Sequence, residues 1–447
     1  MNQESTFEAF FNEIRLDDPN VYSDGISGIT KKLNEKYYET SSDEDHRLIV
    51  GSIGRETAVK GTSDVDVLFC LPDSVYERFN GYETNGQSAL LQEVRNVLLE
   101  RYPKTDIKGD GQAVVVNFAD RDYTIDLVPA FETNEGDYEY PDSSDGGRWR
   151  ITKPIPEQEQ SFKDNTLSNG NFQRYCNALR VWKESIGFKF GGLLIDTLIH
   201  NYMIDSEIQN ASNGYYDAIT SIFEKLKEKK ADQKYWLALG SNQQVDNTGN
   251  GAFVRKAKKA YKALSDAESD LEREEALISV FGKRFEDCII DSGVEAREAA
   301  WSSCYGSKNT EEFAEQKWPI DIRYRIKIGC YVDQKGFRRK KLLEMLANHL
   351  PLWKNKTLTF FIEDDDLPDK HKLYWKVRNV GKVAHEKNQI RGQIVSDGGH
   401  RQKVEHTQFV GPHFVECYAV KNGICIARDR IEVPITDGVD DSTDFLA

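Results

Sequence analysis

The feature that most constrains the fold is the stretch GSIGRETAVKGTSDVDVLF, residues 51–69. It joins a Gly-Ser pair and a loop rich in glycine and hydroxyl groups to Asp64 and Asp66, which open an apolar run that predicts a β-strand. Residues two apart on a strand point to the same face, so these carboxylates can hold divalent cations together. The pattern therefore predicts a phosphate-binding turn beside a two-metal site, as nucleotidyl transfer requires.

A third carboxylate is predicted to join this pair. The segment GQAVVVNFADRDYTIDLVPAF indicates a hairpin with strands over 113–119 and 123–130. Asp126 lies between Ile125 and Leu127, so alternation puts it on the opposite face from those apolar neighbours. We expect it to act as general base or as last metal ligand. Hard oxygen ligation shared with substrate phosphates favours Mg²⁺, or Mn²⁺, with two ions per active site.

Each of these pieces has an ordinary alternative. A Gly-Ser pair is usually a simple turn, and an isolated Asp-x-Asp is usually solvated. Here a turn, a loop suited to phosphate, two acids that open a strand and a later acid inside a hairpin agree on one mechanism. Their combination favours the site over the ordinary explanations.

These motifs give the chain a resemblance to a known superfamily. The run GSIGRETAVKGTSDVDVLF, with YTIDLVPAF after it, resembles the DNA polymerase β-like nucleotidyltransferases, and more narrowly the bacterial cGAS/DncV-like nucleotidyltransferases (CD-NTases) of the SMODS type. The resemblance implies a mixed-sheet palm packed on a helical domain. It also implies that Gly51 and Ser52 contact the triphosphate, and that Asp64, Asp66 and Asp126 form the metal-binding catalytic triad.

Basic side chains near this triad are further candidates for nucleotide binding. In the family a basic residue two positions before a tryptophan reaches the triphosphate. That position is Arg180 in the helical segment NFQRYCNALRVWKESIGF, and Lys183 is the second candidate. A solvated helix face is the alternative for both. Arg55 and Lys60 lie on the same loop as Ser52, with plain solvent exposure as their alternative.

Composition limits the classes of protein and partner. The 447 residues suffice for two or three domains, and 30% charged residues with frequent aromatics predict a soluble globular protein. A formal charge of −15 opposes binding along extended duplex nucleic acid. We expect neither a signal peptide nor contact with a membrane. Seven scattered cysteines without metal-site spacing indicate reduced thiols and a cytoplasmic location.

The pattern along the chain predicts five segments and an α+β fold class. Residues 1–164 form the nucleotidyltransferase palm with an N-terminal helix around residues 24–38, and 165–300 form a helical nucleotide-binding domain. A linker over 301–317 follows. Residues 318–437 carry strand-like alternation, which predicts a small β-rich domain, and 438–447 form a flexible acidic tail.

The β-rich segment carries a resemblance of its own. The stretches LYWKVRNVGKVAHEKNQIRGQIV and KVEHTQFVGPHFVECYAVKNGICIA resemble the AGS-C domain, a proposed nucleotide-sensor module of some SMODS enzymes. Among the matching positions, Asn379, Arg391 and His413 can donate hydrogen bonds to a phosphate or a base edge. Trp375 offers a stacking face. The alternatives are a structural ion pair between Arg391 and Glu405 and a satisfied core histidine.

Together these features and resemblances imply an enzyme that joins nucleoside triphosphates into a cyclic oligonucleotide second messenger, in CBASS-like anti-phage signalling. ATP is expected among the substrates, and a downstream effector and an operon-encoded regulator among the partners. Three alternatives stay open: a synthase of linear oligonucleotides, a toxin-type transferase that modifies tRNA or protein, and a catalytically silent nucleotide sensor. A further hypothesis is conjugation of Ala447 to a target, with an ordinary frayed terminus as its alternative.

Overall fold

The computed structural model describes residues 3–16, 18–205, 214–291, 312–333, 339–348, 350–379, 391–408 and 410–436. The chain divides into two compact units, one of Met1–Trp182 with Phe190–Cys288 and one of Lys183–Lys189 with Ile289–Ala447. The segments predicted as palm and helical domain therefore group largely together. The predicted tail and most of the predicted linker lie outside the described residues.

The first unit combines a mixed half with a mostly helical half. Its helices are α1 (Gln3–Ile14), α2 (Ser23–Tyr37), α3 (Gly51–Gly54), α4 (Asp73–Asn80), α5 (Gly86–Arg101), α6 (Pro154–Leu167), α7 (Asn171–Ile186), α8 (Gly192–Asp205), α9 (Gly214–Lys227), α10 (Ala252–Ser265), α11 (Asp270–Phe281) and α12 (Lys283–Asp291), of which α7 and α12 extend into the other unit. Its strands are β1 (Arg47–Ile49), β2 (Asp64–Cys70), β3 (Asp106–Asp110), β4 (Ala113–Asn117), β5 (Thr124–Glu132), β6 (Tyr138–Asp142), β7 (Arg148–Thr152), β8 (Tyr235–Leu237) and β9 (Gln244–Asp246).

The strands β1 to β7 form one mixed sheet. Its path is β1-β2-β5-β4-β3, with β6 paired to β5 and β7 paired to β6. Strands β2 and β5 run parallel, whereas β4 and β5 are antiparallel. The hairpin predicted from the sequence is therefore confirmed as β4 and β5.

Alternation places the apolar side chains of the central strands in the core. Val65 and Val67 of β2 and Ile125 and Leu127 of β5 are at most 1% exposed. They pack in one cluster with side chains of α2 and α5. Burial of each such side chain contributes roughly 1.5–3 kcal/mol, so a slip of one residue in register would be costly. The side chains that alternate with these four lie on the opposite face of the two strands.

Aromatic side chains hold the helical half of the unit together. The ring of Phe10 in α1 lies 5.0 Å from those of Phe281 in α11 and Phe285 in α12, measured between centroids. The ring of Trp182 in α7 lies 4.9 Å from that of Phe223 in α9. Aromatic pairs at such distances contribute about 0.5–1.5 kcal/mol beyond their buried area. These contacts tie the first helix of the unit to its last ones.

Two local features differ from the sequence analysis. The predicted N-terminal helix is α2, whereas α1, which precedes it, was not predicted, although its buried residues recur at helical spacing. The stretch GSNQQVDNTGNG, whose Gly and Asn content is typical of turns, contributes β9 to a two-stranded ribbon with β8. The Gly and Asn content thus indicates the turns correctly but does not indicate the short strand β9.

The second unit is built on β-strands, as its alternating sequence predicts. Its elements are α13 (Ala314–Lys317), β10 (Ile326–Asp333), β11 (Lys340–Lys341), α14 (Leu342–Ala347), β12 (Leu352–Trp353), β13 (Thr357–Asp365), β14 (Lys372–Arg378), β15 (Arg391–Ser396), β16 (Gln402–His406), β17 (Gly411–Lys421) and β18 (Ile424–Thr436). One sheet has the order β11-β10-β13-β16 and the other β12-β18-β17-β14-β15. Buried residues of both sheets share one cluster, so this unit has its own core.

The two units together give a mixed α+β fold with a β-rich C-terminal part, which confirms the predicted fold class. No helix in the described parts of either unit is long and apolar enough to cross a membrane.

Candidate active site

The three carboxylates predicted from the sequence lie on the same face of two neighbouring strands. Asp64 and Asp66 alternate along β2 with buried valines. Asp126 of β5 is the register partner of Asp66. Neighbouring strands lie about 4.7–4.9 Å apart, so Asp66 and Asp126 stand side by side. The fold therefore brings the three acids to one patch of the sheet, which we call the carboxylate patch.

The Gly51-Ser52 pair adjoins the carboxylate patch. Gly51 opens α3 with a φ of +65°, a conformation that glycine tolerates best. A Cβ atom at this position would lie 1.9 Å from Oδ2 of Asp66, so only glycine lets the backbone approach that carboxylate so closely. The N–H of Val50 also donates to the carbonyl oxygen of Asp66 at 2.9 Å. The predicted tight turn is thus a four-residue helix whose first residue abuts Asp66.

The negative charge of the carboxylate patch helps to raise the pKa of Tyr22. Its hydroxyl donates to the carbonyl oxygen of Thr62 at 3.0 Å, just before β2. Burial, and then the negative charge of Asp64, raises the pKa of Tyr22 to about 12. The phenol therefore stays protonated at neutral pH and holds the loop as a hydrogen-bond donor.

The carboxylate patch fits divalent cations by the chemistry of its donors. Asp64, Asp66 and Asp126 offer the hard oxygen ligands that Mg²⁺ prefers, and this ion commonly completes its shell with waters and substrate phosphates. Among the residues that the structure describes, no group of three or more His, Cys, Asp or Glu side chains is arranged to hold a metal ion. Ions at this patch would depend on substrate oxygens as well as on the protein.

Arg55 and Arg180, both predicted to contact the triphosphate, are instead buried against Asp196. Arg180 is 5% exposed and donates to both carboxylate oxygens, at 2.7 and 3.0 Å. Arg55 is 7% exposed and donates from Nε to Oδ2 at 2.9 Å. Burial alone would raise the pKa of Asp196, but the charges of the two arginines outweigh it and hold that pKa below its usual value.

This placement corrects the sequence expectation for both arginines. Turning either guanidinium toward a substrate would break a buried ion pair, a change that costs about 3–5 kcal/mol. The alternative of a solvated side chain is also wrong for them. Both residues belong to a buried polar cluster beside α3 rather than to an exposed surface.

The two lysine candidates are more exposed. Nζ of Lys60 lies 3.0 Å from Glu13, and both side chains are about half exposed, so this pair contributes little to stability. Lys183 is half-buried in the last turn of α7, within the segment that groups with the second unit. For both lysines, nucleotide binding stays a prediction.

In the second unit, Trp375 is a core residue and offers no stacking face. Its side chain is 1% exposed, and its indole N–H donates to Oδ1 of Asp397 at 2.7 Å. It packs in the cluster shared by the two sheets. The predicted stacking role is therefore wrong, because a ring enclosed by the core leaves no space for a ligand.

The other three candidates of this unit line a pocket of about 130 Å³. Asn379, Arg391 and His413 contribute to its wall, as does Glu405. Arg391 and Glu405 form a bidentate ion pair at 2.5 and 2.9 Å, which is the structural pair considered as the alternative. Pockets for drug-sized ligands are about 300–1,000 Å³, so the part of this pocket lined by described residues is small by comparison.

The sequence analysis did not identify Asp196, the acid that pairs with Arg55 and Arg180. It lies in the middle of the apolar segment GGLLIDTLIH of α8. A carboxylate at a buried position must be paired with a cation or with hydrogen-bond donors. A lone acid inside an apolar helix was the signal that could have found it.

Fold and site together define a class: a mixed sheet with paired carboxylates on parallel β2 and β5, a Gly-Ser helix start against them, and a helical half. That is the arrangement implied by the sequence resemblance to polymerase β-like nucleotidyltransferases. Residues 1–165 match the family model of the Second Messenger Oligonucleotide or Dinucleotide Synthetase (SMODS) domain. Residues 308–436 match that of the Adenylyl/Guanylyl and SMODS C-terminal sensor domain, AGS_C. Residues 1–165 therefore carry a SMODS domain and residues 308–436 an AGS-C domain, which confirms both resemblances.

Similar proteins include cyclic nucleotide synthases. A probable cyclic nucleotide synthase of Bacillus cereus is 21% identical over 238 residues, which cover 45% of this chain and 71% of that protein. The cyclic GMP-AMP synthase CdnE03 of Staphylococcus schleiferi is 22% identical over 261 residues, with coverage of 51% and 74%.

Similar solved structures include two bound to nucleotides. CdnC of E. coli MS115-1 with ATP has a TM-score of 0.49 and 16% identity, and the match covers 63% of this chain and 98% of that one. CdnG of Bradyrhizobium diazoefficiens in complex with GTP has a TM-score of 0.46 and 11% identity, with coverage of 65% and 98%.

Proposed function

We propose that this protein joins nucleoside triphosphates, ATP among them, into a cyclic oligonucleotide second messenger, and that it acts in the cytoplasm in CBASS-like anti-phage signalling. The observation that carries the proposal is the register of β2 against β5, with Asp66 beside Asp126 and Gly51 against Asp66. Two relatives named as cyclic nucleotide synthases support the product class. A downstream effector that binds the product and an operon-encoded regulator are the partners that this role requires.

In the proposed reaction, Gly51 and Ser52 hold the triphosphate through backbone N–H groups and the Ser52 hydroxyl. Asp126 accepts the proton of the attacking ribose hydroxyl, whose oxygen bonds to the α-phosphorus while the bond to the leaving pyrophosphate breaks. Asp64 and Asp66 would hold two Mg²⁺ or Mn²⁺ ions, which supply charge neutralisation when bound, and Asp126 would be their last ligand in the alternative in which it does not act as the base. Alignment of the two substrates and neutralised phosphate charge provide most of the rate.

Pyrophosphate release from nucleoside triphosphates tests this site, with Asp66→Asn as the variant and Asp106→Asn as its control. Asp106 carries an exposed carboxylate on β3 of the same sheet, where it pairs with Lys108 at 2.7 Å. We expect Asp66→Asn to lose at least about 10²-fold in turnover at an unchanged unfolding temperature, and Asp106→Asn to behave as wild type. Wild-type turnover by Asp66→Asn would show that the carboxylate patch is not the catalytic centre.

A second proposal concerns the pocket lined by Asn379, Arg391 and His413. We infer that it binds a small ligand and that binding changes the rate of synthesis; the description of the family as a sensor domain supports this. Because the charges of Arg391 and Glu405 already compensate each other, hydrogen bonding would select the ligand more than net charge does.

Truncation tests this regulatory proposal. A chain that ends near residue 315 lacks the pocket, so its basal rate or its induction by extract of infected cells should differ from wild type. Asn379→Ala in the full chain should change the same property, whereas Val404→Ala, at an exposed position of β16, should not. If the truncated chain keeps both properties unchanged, the second unit does not regulate synthesis.

A further inference from the structure

Asp196 is the most heavily bonded buried acid of the first unit's polar cluster. Its side chain is fully buried in α8. It accepts hydrogen bonds from Arg180 at 2.7 and 3.0 Å, from Nε of Arg55 at 2.9 Å and from the hydroxyl of Thr57 at 2.9 Å. Bonds to an ionised acceptor are roughly twice as strong as neutral ones. The fold thus concentrates strong, directional interactions on one carboxylate of a helix.

Two of these donors also close the Gly51-Ser52 segment through their backbones. The N–H of Thr57 donates to the carbonyl oxygen of Ser52 at 2.8 Å. The N–H of Arg55 donates to the carbonyl oxygen of Gly51 at 3.2 Å. Each residue therefore holds Asp196 with its side chain and one residue of the Gly-Ser pair with its main chain.

Neighbouring helices fix the rest of the same loop. The hydroxyl of Ser161 in α6 donates to the carbonyl oxygen of Arg55 at 2.7 Å. Nε2 of Gln158, also in α6, donates to the carbonyl oxygen of Ile49 at 2.8 Å. Residues 49–57 are thus held from both α6 and α8, and Asp196 supplies the charged contact.

We propose that Asp196 is a positioning residue: acting through Arg55 and Thr57, it sets the position of Gly51 and Ser52 against the carboxylate patch for triphosphate binding. This inference rests on the proposed function. Asp196 itself does not touch substrate. Replacement of Asp196 leaves Gly51 and Ser52 themselves unchanged but frees the loop that carries them. A displacement of about 1 Å at a reacting centre costs about 10²-fold in rate.

Two variants of graded severity test the inference. Thr57→Val keeps the side-chain volume, removes one hydrogen bond and leaves both arginines on Asp196, so folding should survive. Asp196→Asn keeps the shape and removes the charge. We expect kcat/KM for ATP to fall about 10-fold in Thr57→Val and about 10²-fold in Asp196→Asn, with KM rising in both because the triphosphate contact is loosened.

His200→Gln is the matched control for stability. His200 lies one turn after Asp196 on α8, and its Nδ1 lies 2.6 Å from the carboxylate of Asp164 on α6. The variant loses a partly buried polar contact on the same helix without touching residues 49–57. It should lower the unfolding temperature and leave KM for ATP unchanged.

Hydrogen exchange of the backbone amides of residues 50–57 supplies a readout besides activity. Exchange there should accelerate in Thr57→Val and Asp196→Asn and stay at the wild-type rate in His200→Gln. In a double-mutant cycle, Ser52→Ala with Thr57→Val should lose little more activity than Ser52→Ala alone, because both act on one contact.

Three results would overturn the inference and leave the proposed function standing. Unchanged exchange in Asp196→Asn would mean that the loop is positioned without it. Faster exchange with unchanged KM and kcat would mean that loop position does not matter for catalysis. Additive effects of Thr57→Val and Ser52→Ala would mean that Thr57 does not act through Ser52. If the wild-type protein releases pyrophosphate from no nucleotide, the proposed function fails first, and the inference fails with it.

Discussion

Replacement of Gly51 by alanine tests whether the Gly-Ser segment must abut the carboxylate patch. The added Cβ would lie 1.9 Å from Oδ2 and 2.8 Å from Cγ of Asp66. Real Cβ atoms essentially never come within 3.0 Å of such neighbours, so backbone and carboxylate have to separate. A shift of about 1 Å between the groups that hold metal and triphosphate costs about 10²-fold in rate.

Gly111→Ala is the matched control for this substitution. Gly111 has the same φ of +65°, and a Cβ there would meet nothing within 4 Å. Both variants therefore carry the cost of a left-handed alanine, about 1–2 kcal/mol of folding free energy. The contact with Asp66 is what distinguishes Gly51 from Gly111.

The assay is kcat/KM from pyrophosphate release, beside thermal unfolding of each variant. Gly51→Ala should lose at least about 10²-fold in kcat/KM, equal to about 2.7 kcal/mol of transition-state stabilisation. Gly111→Ala should lose stability to a similar degree and stay near wild-type activity. Equal activity of the two variants would refute the argument that Gly51 serves the carboxylate patch.

Predictions for the second unit concern its buried charge and its core tryptophan. Glu416→Gln should lower the free energy of unfolding by about 3–5 kcal/mol in urea titrations, because Lys376 and Arg428 lose their buried partner. Burial would raise the pKa of Glu416, but the charges of Lys376, Arg428 and Arg430 lower it to about 2. The carboxylate therefore stabilises the fold above its unfolded pKa of about 4.3, and this contribution is lost as pH falls from there toward 2, so Glu416→Gln should flatten that loss. Trp375→Phe should cost about 1–3 kcal/mol of stability because it removes the hydrogen bond to Asp397, and it should leave ligand binding in the pocket of the second unit unchanged. Weaker ligand binding at unchanged stability would support the stacking role instead.

The carboxylate patch was largely predictable because its determinants are local. A two-residue period fixes the face of Asp64 and Asp66, and the hairpin fixes that of Asp126. The parallel pairing of β2 with β5 is not local, and the family resemblance implied only its consequence, that Asp64, Asp66 and Asp126 form one triad. The predicted hairpin and the β-rich C-terminal part followed from the same alternation.

Partners distant in sequence were not predictable. Arg55 and Asp196 are separated by 141 residues, and nothing in either segment names the other. A basic residue on a helix looks alike whether it faces triphosphate or a buried acid, so Arg180 was assigned to the wrong partner. The prediction for Trp375 was wrong for a related reason. Alternation shows which side chains of a strand share a face, but not which face points to the core.

The most direct test of the central claim is mass spectrometry of the small products. Purified protein is incubated with all four NTPs and, separately, all four dNTPs, with Mg²⁺ or Mn²⁺, followed by phosphatase, beside Asp64→Asn and Asp66→Asn. We expect a phosphatase-resistant cyclic oligonucleotide that both variants fail to make. A linear ladder of oligonucleotides would contradict this expectation, as would nucleotides attached to tRNA or protein instead of a small product.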